Sequence, residues 1–182
     1  MRLLPILLLI LAPPLSAMAQ DAPRFPEVSG ENLLGESFDL PDDLPGAIRV
    51  AFVAFRQNQQ PDVNTWLAVA DGLEADHPGL RYVEIPTIAW PYRVMKPIID
   101  GGMRSGIPSR EARARTITVF TGVGAFVEEA GLPGTDEIAV LLVDGEGRIR
   151  WWTTGRHTEG KEAELRRAIE GLEGDRGGAA GG

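Results

Sequence analysis

The chain has no cysteine in 182 residues. That excludes disulfide staples, thiolate metal ligands and thiol–disulfide exchange, and it leaves stability to the packed core. Histidine is nearly missing too, with only His77 and His157. Neither has a nearby histidine, aspartate or glutamate at metal-ligand spacing beyond what chance supplies. No HExxH, phosphate loop, dinucleotide fingerprint or Ser–His–Asp signature occurs. The sequence therefore offers no catalytic residue, no metal ligands and no cofactor motif, and it reads as a non-enzyme. Positive charge is in short supply: 18 Lys and Arg stand against 26 Asp and Glu, a formal net charge of −8. A surface of that sign argues against nucleic acid and anionic lipid, which need a basic footprint.

The one long apolar run is at the start. Met1-Arg2 is followed by Leu3–Leu11, almost all Leu and Ile, then Pro13-Pro14 and Ala17-Met18-Ala19. This order predicts a signal peptide over residues 1–19, cut between Ala19 and Gln20, and a periplasmic or secreted protein. The run is short for a membrane span and carries prolines, so no stable anchor is expected after cleavage. About 163 residues remain, enough for one domain with one core.

The rest alternates strand and helix signals. Residues 20–46 form an N-terminal extension: a mobile polar lead to Pro26, strands over Phe25–Val28 and Leu33–Leu40, and a turn supplied by Gly30 and Asn32. Ile48–Phe55 (IRVAFVAF) is apolar except for Arg49 and predicts a strand buried on both faces. The loop Arg56–Gln60 (RQNQQ) follows, and Pro61 opens a helix with Val63, Trp66, Leu67, Ala70 and Leu73 on one face. Leu80–Pro86 predicts a second strand, parallel to the first across that helix. Ala89–Tyr92 reads as a loop, Tyr92–Met103 as a short helix limited by Pro97, and Arg104–Arg115 as a basic segment. Ile117–Thr121 predicts a third parallel strand, followed by a short helix near Ala125–Ala130. Ile138–Val143 and Arg148–Thr153 flank the turn Asp144-Gly145-Glu146-Gly147, a hairpin. Glu159–Leu172 is the last helix, with Ala163, Leu165, Ala168, Ile169 and Leu172 inward. The core thus spans 47–172, and 173–182 reads as a disordered Gly/Ala tail. The order predicts an α/β fold, a central mixed sheet flanked by helices.

The strand–loop–helix of Ile48–Ala75 and the hairpin IAVLLVDGEGRIRW resemble the thioredoxin-like superfamily, in its form with an N-terminal hairpin and an inserted helix–strand unit. Phe25, Pro26, Val28 and Gly30, together with Gly147–Trp151, are more narrowly similar to the mitochondrial ATP synthase assembly-factor family and its bacterial relatives. Two departures go with the resemblance. The Cys-x-x-Cys window of the redox proteins falls on Asn58-Gln59-Gln60-Pro61. The superfamily's cis-proline position, just before the strand at Ile138, holds no proline, and Pro133 is too far upstream. The resemblance thus implies a redox-inactive relative that works by binding protein, as an assembly or chaperone-like factor. The mitochondrial family acts on the matrix side, whose bacterial counterpart is the cytoplasm, whereas the signal peptide predicts export. ATP synthase is therefore not carried over as the client, and the expected partner is an envelope or membrane complex of unspecified identity.

Three groups of residues are candidates for binding. Arg56, Asn58, Gln59 and Gln60 offer donors at a helix N-terminus, where backbone N–H groups favour anions. This gives the alternative reading: a pocket for a small anion or other ligand, or a peroxidase-like site. The opposing expectation is an ordinary solvated loop. Arg104, Arg110, Arg113 and Arg115 reverse the local charge and suit an acidic or phosphate-bearing partner, or else form a solvated helix face with a Glu111–Arg115 pair. Trp90 and Tyr92 are a binding edge or loop packing. Trp151 and Trp152, adjacent on a strand, point to opposite faces, one of them into the core.

Overall fold

The computed structural model describes residues 23–179, with side chains to residue 176. The proposed cleavage point Ala19–Gln20 lies outside the described residues. Seven strands are joined in one sheet: β1 (Val28–Asn32), β2 (Ser37–Leu40), β3 (Ile48–Ala54), β4 (Leu80–Ala89), β5 (Ile117–Thr121), β6 (Ala139–Val143) and β7 (Ile149–Thr154). Five helices accompany them: α1 (Gln60–Asp76), α2 (Lys96–Gly106), α3 (Arg110–Arg115), α4 (Val123–Glu129) and α5 (Glu159–Ala179). The sheet order is β2-β1-β5-β4-β3-β6-β7. β3, β4 and β5 are mutually parallel, while β1 joins β5, and β6 joins β3, in antiparallel register. The β3–α1–β4 crossover and the terminal β6–β7 hairpin are those expected from the apolar runs.

β3 is central because it can be: every side chain from Ile48 to Val53 is buried. The one charged member, Arg49, donates from Nε to the Leu44 carbonyl (3.2 Å) and from Nη1 to the Asp144 carbonyl (2.6 Å). Burial lowers its pKa, with Asp144 opposing that shift. Alternation along the strands divides the interior into two cores. Ala51, Val53, Val83, Ile85, Val119 and Leu141 pack with Phe25, Leu40 and Phe126 on one face. Ile48, Val50, Phe52, Val140 and Leu142 pack on the other, against Val63, Trp66, Ala70 and Leu73 of α1 and Leu165, Ile169 and Leu172 of α5. Trp66 anchors the second core, donating its indole N–H to the Gly155 carbonyl at 2.9 Å.

Several expectations are corrected. The lead is not mobile from Pro23 onward: Ile149 N–H donates to the Pro23 carbonyl (2.7 Å), Phe25 N–H donates to the Gly147 carbonyl (2.8 Å), and the buried Phe25 ring meets Phe126 edge to face. Gly30 does not turn the chain. It lies inside β1, and a Cβ there would stand 2.7 Å from Ile117 Cγ2. The turn lies between Asn32 and Ser37 and uses Gly35 at φ +88°. Asn32 organises that turn, its Oδ1 accepting from the Leu34 and Glu36 amides. On α5, Ala163 is exposed, because the buried stripe Leu165–Ile169–Leu172 follows i, i+4, i+7 and residue 163 falls off it. α5 also runs through Glu173–Ala179, where composition predicts disorder. Glu173 is held there by the Nδ1 of the buried His77, 3.0 Å from its Oε2.

Candidate functional site

The β3–α1 junction, where the Asn58-Gln59-Gln60-Pro61 window lies, is folded upon itself. Gln59 is buried, at 5% exposure. Its Oε1 accepts from the Phe55 and Arg56 amides (2.8 and 3.1 Å) and its Nε2 donates to the Thr135 carbonyl (2.9 Å). Arg56 reaches Asp136 at 2.9 Å across open surface. Gln60 Nε2 donates to Asn64 Oδ1 (3.0 Å) and to Glu84 Oε2 (3.1 Å). Asn58 alone of the four is exposed with no hydrogen-bond partner among the described residues. Three of the four donor side chains foreseen for a ligand thus bond within the fold. The sole cis peptide among the described residues, Leu40–Pro41, lies at the end of β2 and not before β6.

One group here escaped sequence reasoning. Glu84 occupies β4, directly opposite Phe52 of β3, and is 6% exposed. Burial raises the pKa of its carboxyl, and the Gln60 hydrogen bond opposes the shift. In LRYVEIP it reads as the polar partner of an alternating strand. Its partner is Gln60 at the start of α1, 24 residues away in the chain.

The basic segment is likewise mostly internal. Arg104 Nε donates to the Leu33 carbonyl at 2.8 Å. Arg113 donates to the carbonyls of Ile107 (2.6 Å) and Arg104 (2.8 Å). Arg115 pairs with Glu74 of α1 and Glu111 of α3, and its guanidinium covers the Tyr82 ring at 4.4 Å. Burial disfavours its charge, and hydrogen bonds to the two glutamates outweigh that, so its pKa is raised. Tyr82 is also shifted, up to about 12, by burial and by donating to Asp71. Arg110 is exposed and has no carboxylate partner among the described residues. These arginines do not converge on a pocket: Arg104 ties the β4–β5 crossover to the hairpin, Arg115 ties it to α1, and Arg113 braces it internally.

The same crossover carries the other side of the molecule's chemistry. A 3-10 segment, Trp90–Met95, leads directly into α2 and buries no residue. Trp90 is 57% exposed, Tyr92 56%, Val94 87%, Met95 43% and Ile98 71%. Five large apolar side chains thus face solvent within nine residues. Local chemistry accounts for the segment's shape. Pro91 and Pro97 sit at the first positions of the 3-10 turn and of α2, where a missing N–H is tolerated. α2 buries only Asp100, whose Oδ2 is bonded by Lys96 Nζ; Lys96 also reaches Glu31 of β1 at 2.7 Å. A cleft of about 140 Å³ between this crossover and the β1–β2 hairpin is lined by Arg93, Lys96, Glu31 and Thr118 among others. The Thr118 hydroxyl and Asp100 Oδ1 are buried without partners. Sequence reasoning singled out Trp90 and Tyr92 but not Val94, Met95 and Ile98, which fall inside the helix it predicts over Tyr92–Met103.

His77 and His157 are each paired with one glutamate, Glu173 and Glu162. No group of three metal-ligating side chains occurs among the described residues. Trp151 is half-buried on the α5 face and Trp152 is 40% exposed, as their alternation requires.

Sheet, helices and junction together define a thioredoxin-like protein without thiols. The chain belongs to the ATP10 protein family, that of the ATP synthase assembly factors, which matches residues 9–172. Solved structures share the fold at low identity. The BsSco protein, described as a member of the Sco family of cytochrome c oxidase assembly proteins, superposes with a TM-score of 0.57 at 12% identity, covering 82% of this chain and 95% of that one. A DsbF homologue from Corynebacterium diphtheriae gives 0.52 at 17%, covering 85% and 89%. The exposed lipoprotein thioredoxin Etrx1 of Streptococcus pneumoniae strain TIGR4 gives 0.50 at 13%, covering 80% and 99%. No curated protein matches the chain.

Proposed function

We propose that this protein is an exported, non-enzymatic assembly factor that holds part of an envelope membrane complex while that complex forms. The observation that carries the reading is the exposed apolar stretch Trp90–Ile98, on a fold whose former reactive junction is closed by its own side chains. Monomeric proteins seldom leave such a stretch uncovered without a contact to make. Family membership supports assembly as the task, since assembly proceeds by contact and needs no reacting group. The apolar leader and Ala17-Met18-Ala19 support export. The bacterial counterpart of the family's matrix-side work lies on the other side of that membrane, so ATP synthase is not named as the client.

The test is genetic. A strain lacking the protein is expected to accumulate a partly built membrane complex on native gels. Wild-type chain should rescue it, and a Trp90→Ser, Val94→Ser, Ile98→Ser triple variant should not. Normal assembly of every envelope complex in the deletion strain, or full rescue by the triple variant, would sink the reading. Protease accessibility in spheroplasts tests export: a chain protected until the inner membrane is lysed is not exported.

A further inference from the structure

The net charge of −8 conceals a division. Residues 90–115 hold six cations (Arg93, Lys96, Arg104, Arg110, Arg113 and Arg115) against two acids, Asp100 and Glu111. The rest of the chain is correspondingly more acidic. Within the crossover, Lys96 and Arg115 are compensated by carboxylates, and Arg93, Arg104, Arg110 and Arg113 are in no ion pair among the described residues. Arg104 and Arg113 spend their N–H groups on neutral carbonyls, which leaves their charge in place. Arg93 lies over the Trp90 ring, 4.9 Å from its centroid. Uncompensated positive charge and exposed apolar bulk thus occupy one crossover.

We infer that this crossover seats on an anionic lipid bilayer, with Trp90, Tyr92, Val94, Met95 and Ile98 at the headgroup–acyl boundary and the exposed Arg93 and Arg110 on lipid phosphates. This rests on the assembly reading above and names what that surface touches. Three features favour a bilayer over a protein groove. Trp and Tyr beside aliphatic tips are the side chains that partition to membrane interfaces. The apolar side chains are 43% to 87% exposed and none lines the cleft beside the β1–β2 hairpin, and an open apolar stretch suits a deformable surface. Arg93 and Lys96 lie within the apolar stretch and four arginines follow it in the chain, while acids dominate elsewhere in the sequence, so an anionic sheet attracts this crossover more than the rest of the chain. The whole-chain charge argues against anionic lipid only when it is taken as uniformly spread.

The missing cysteine makes the test clean, because one introduced cysteine is a unique label in the full chain. Val94→Cys, Ile98→Cys and, as a control on α4, Glu129→Cys would each carry an environment-sensitive fluorophore. Vesicles of phosphatidylglycerol mixed with phosphatidylcholine should shift the labels at 94 and 98 to the blue and leave the label at 129 unchanged. Pure phosphatidylcholine should shift none. Adding Arg93→Gln and Arg110→Gln should weaken the response roughly 25-fold, at about five-fold per cation near an anionic surface. The proposal is overturned if the labels at 94 and 98 stay aqueous on saturating vesicles, including the case where the leader alone tethers the chain. It is also overturned if the response ignores lipid charge, or if only a protein partner shifts the labels. In that last outcome the genetic test still stands, so the assembly reading survives separately.

Discussion

Gln59 shows how one side chain can both close a site and hold a fold. It meets two amides and one carbonyl from a position at 5% exposure. Gln59→Ala should lose about 2–3 kcal/mol of stability in urea titration, because the buried groups left behind have no substitute partner. Asn58→Ala next to it should change little. Gly30 makes a steric prediction instead. Gly30→Ala puts a methyl 2.7 Å from Ile117 Cγ2 and 3.1 Å from the Thr118 carbonyl oxygen, and should cost about 1–3 kcal/mol. Glu84 makes an electrostatic one. Its folded pKa lies above the ordinary carboxyl value of 4.5, so the folded state holds that proton more tightly than the unfolded state does. Stability from this group is present at acid pH and falls as pH rises from 4.5 through the folded value. Glu84→Gln should therefore be more stable than wild type at pH 7, with the gap closing towards pH 4. A gap that does not change with pH would show that ionisation of Glu84 is not its cause.

Among the elements, α1 and α5 contrast with the β4–β5 crossover. α1 buries Val63, Trp66, Ala70 and Leu73, whereas α2 buries only Asp100. Amide exchange should accordingly be slow in α1 and much faster through Trp90–Gly106, since local opening there exposes little new apolar surface. Equal protection of the two would contradict this account of the crossover. The start of α5 is held by Glu162, which accepts from His157 Nε2 (2.8 Å) and Arg166 Nε (2.9 Å). The His157 hydrogen bond is the main reason that its pKa is lowered, with burial opposing and Arg166 assisting. A lowered carboxyl contributes stability above pH 4.5 that is lost as pH falls through the folded value. Glu162→Gln should thus be less stable than wild type at neutral pH, with the two converging in acid. The sign is opposite to that for Glu84, and urea midpoints measured across pH would separate them. The helices and strands themselves were legible: β3 as an unbroken apolar run, α1 from the spacing of Val63 to Leu73, and the last hairpin from Asp144–Gly147. Boundaries failed where tertiary contact sets them. Asn32 places the turn by bonding amides beyond itself, and the pairing of His77 with Glu173 lies where composition predicts disorder.

For the molecule as a whole, two cores share one sheet, and β3 contributes to both. That sharing predicts a single cooperative unfolding transition, coincident by tryptophan fluorescence and far-ultraviolet circular dichroism. The amino-acid sequence by itself determined what chemistry is impossible: a chain without cysteine performs no thiol exchange in any fold. It determined the α/β order as well, because the periods of apolar residues are local properties of the chain. Only the tertiary structure decided what the strand–loop–helix of Ile48–Ala75 presents. Its polar loop carries donor groups of the kind a ligand site uses, yet Gln59 turns inward to Thr135 and Gln60 to Glu84, partners from 76 and 24 residues away. Arg104 and Arg115 of the crossover were resolved in the same way, into a carbonyl clamp on Leu33 and a carboxylate pair with Glu74. Exposure of Val94 and Ile98 was decided there too. Helical spacing reveals that a helix has an apolar face, but whether anything in the fold covers that face depends on where the neighbouring elements pack.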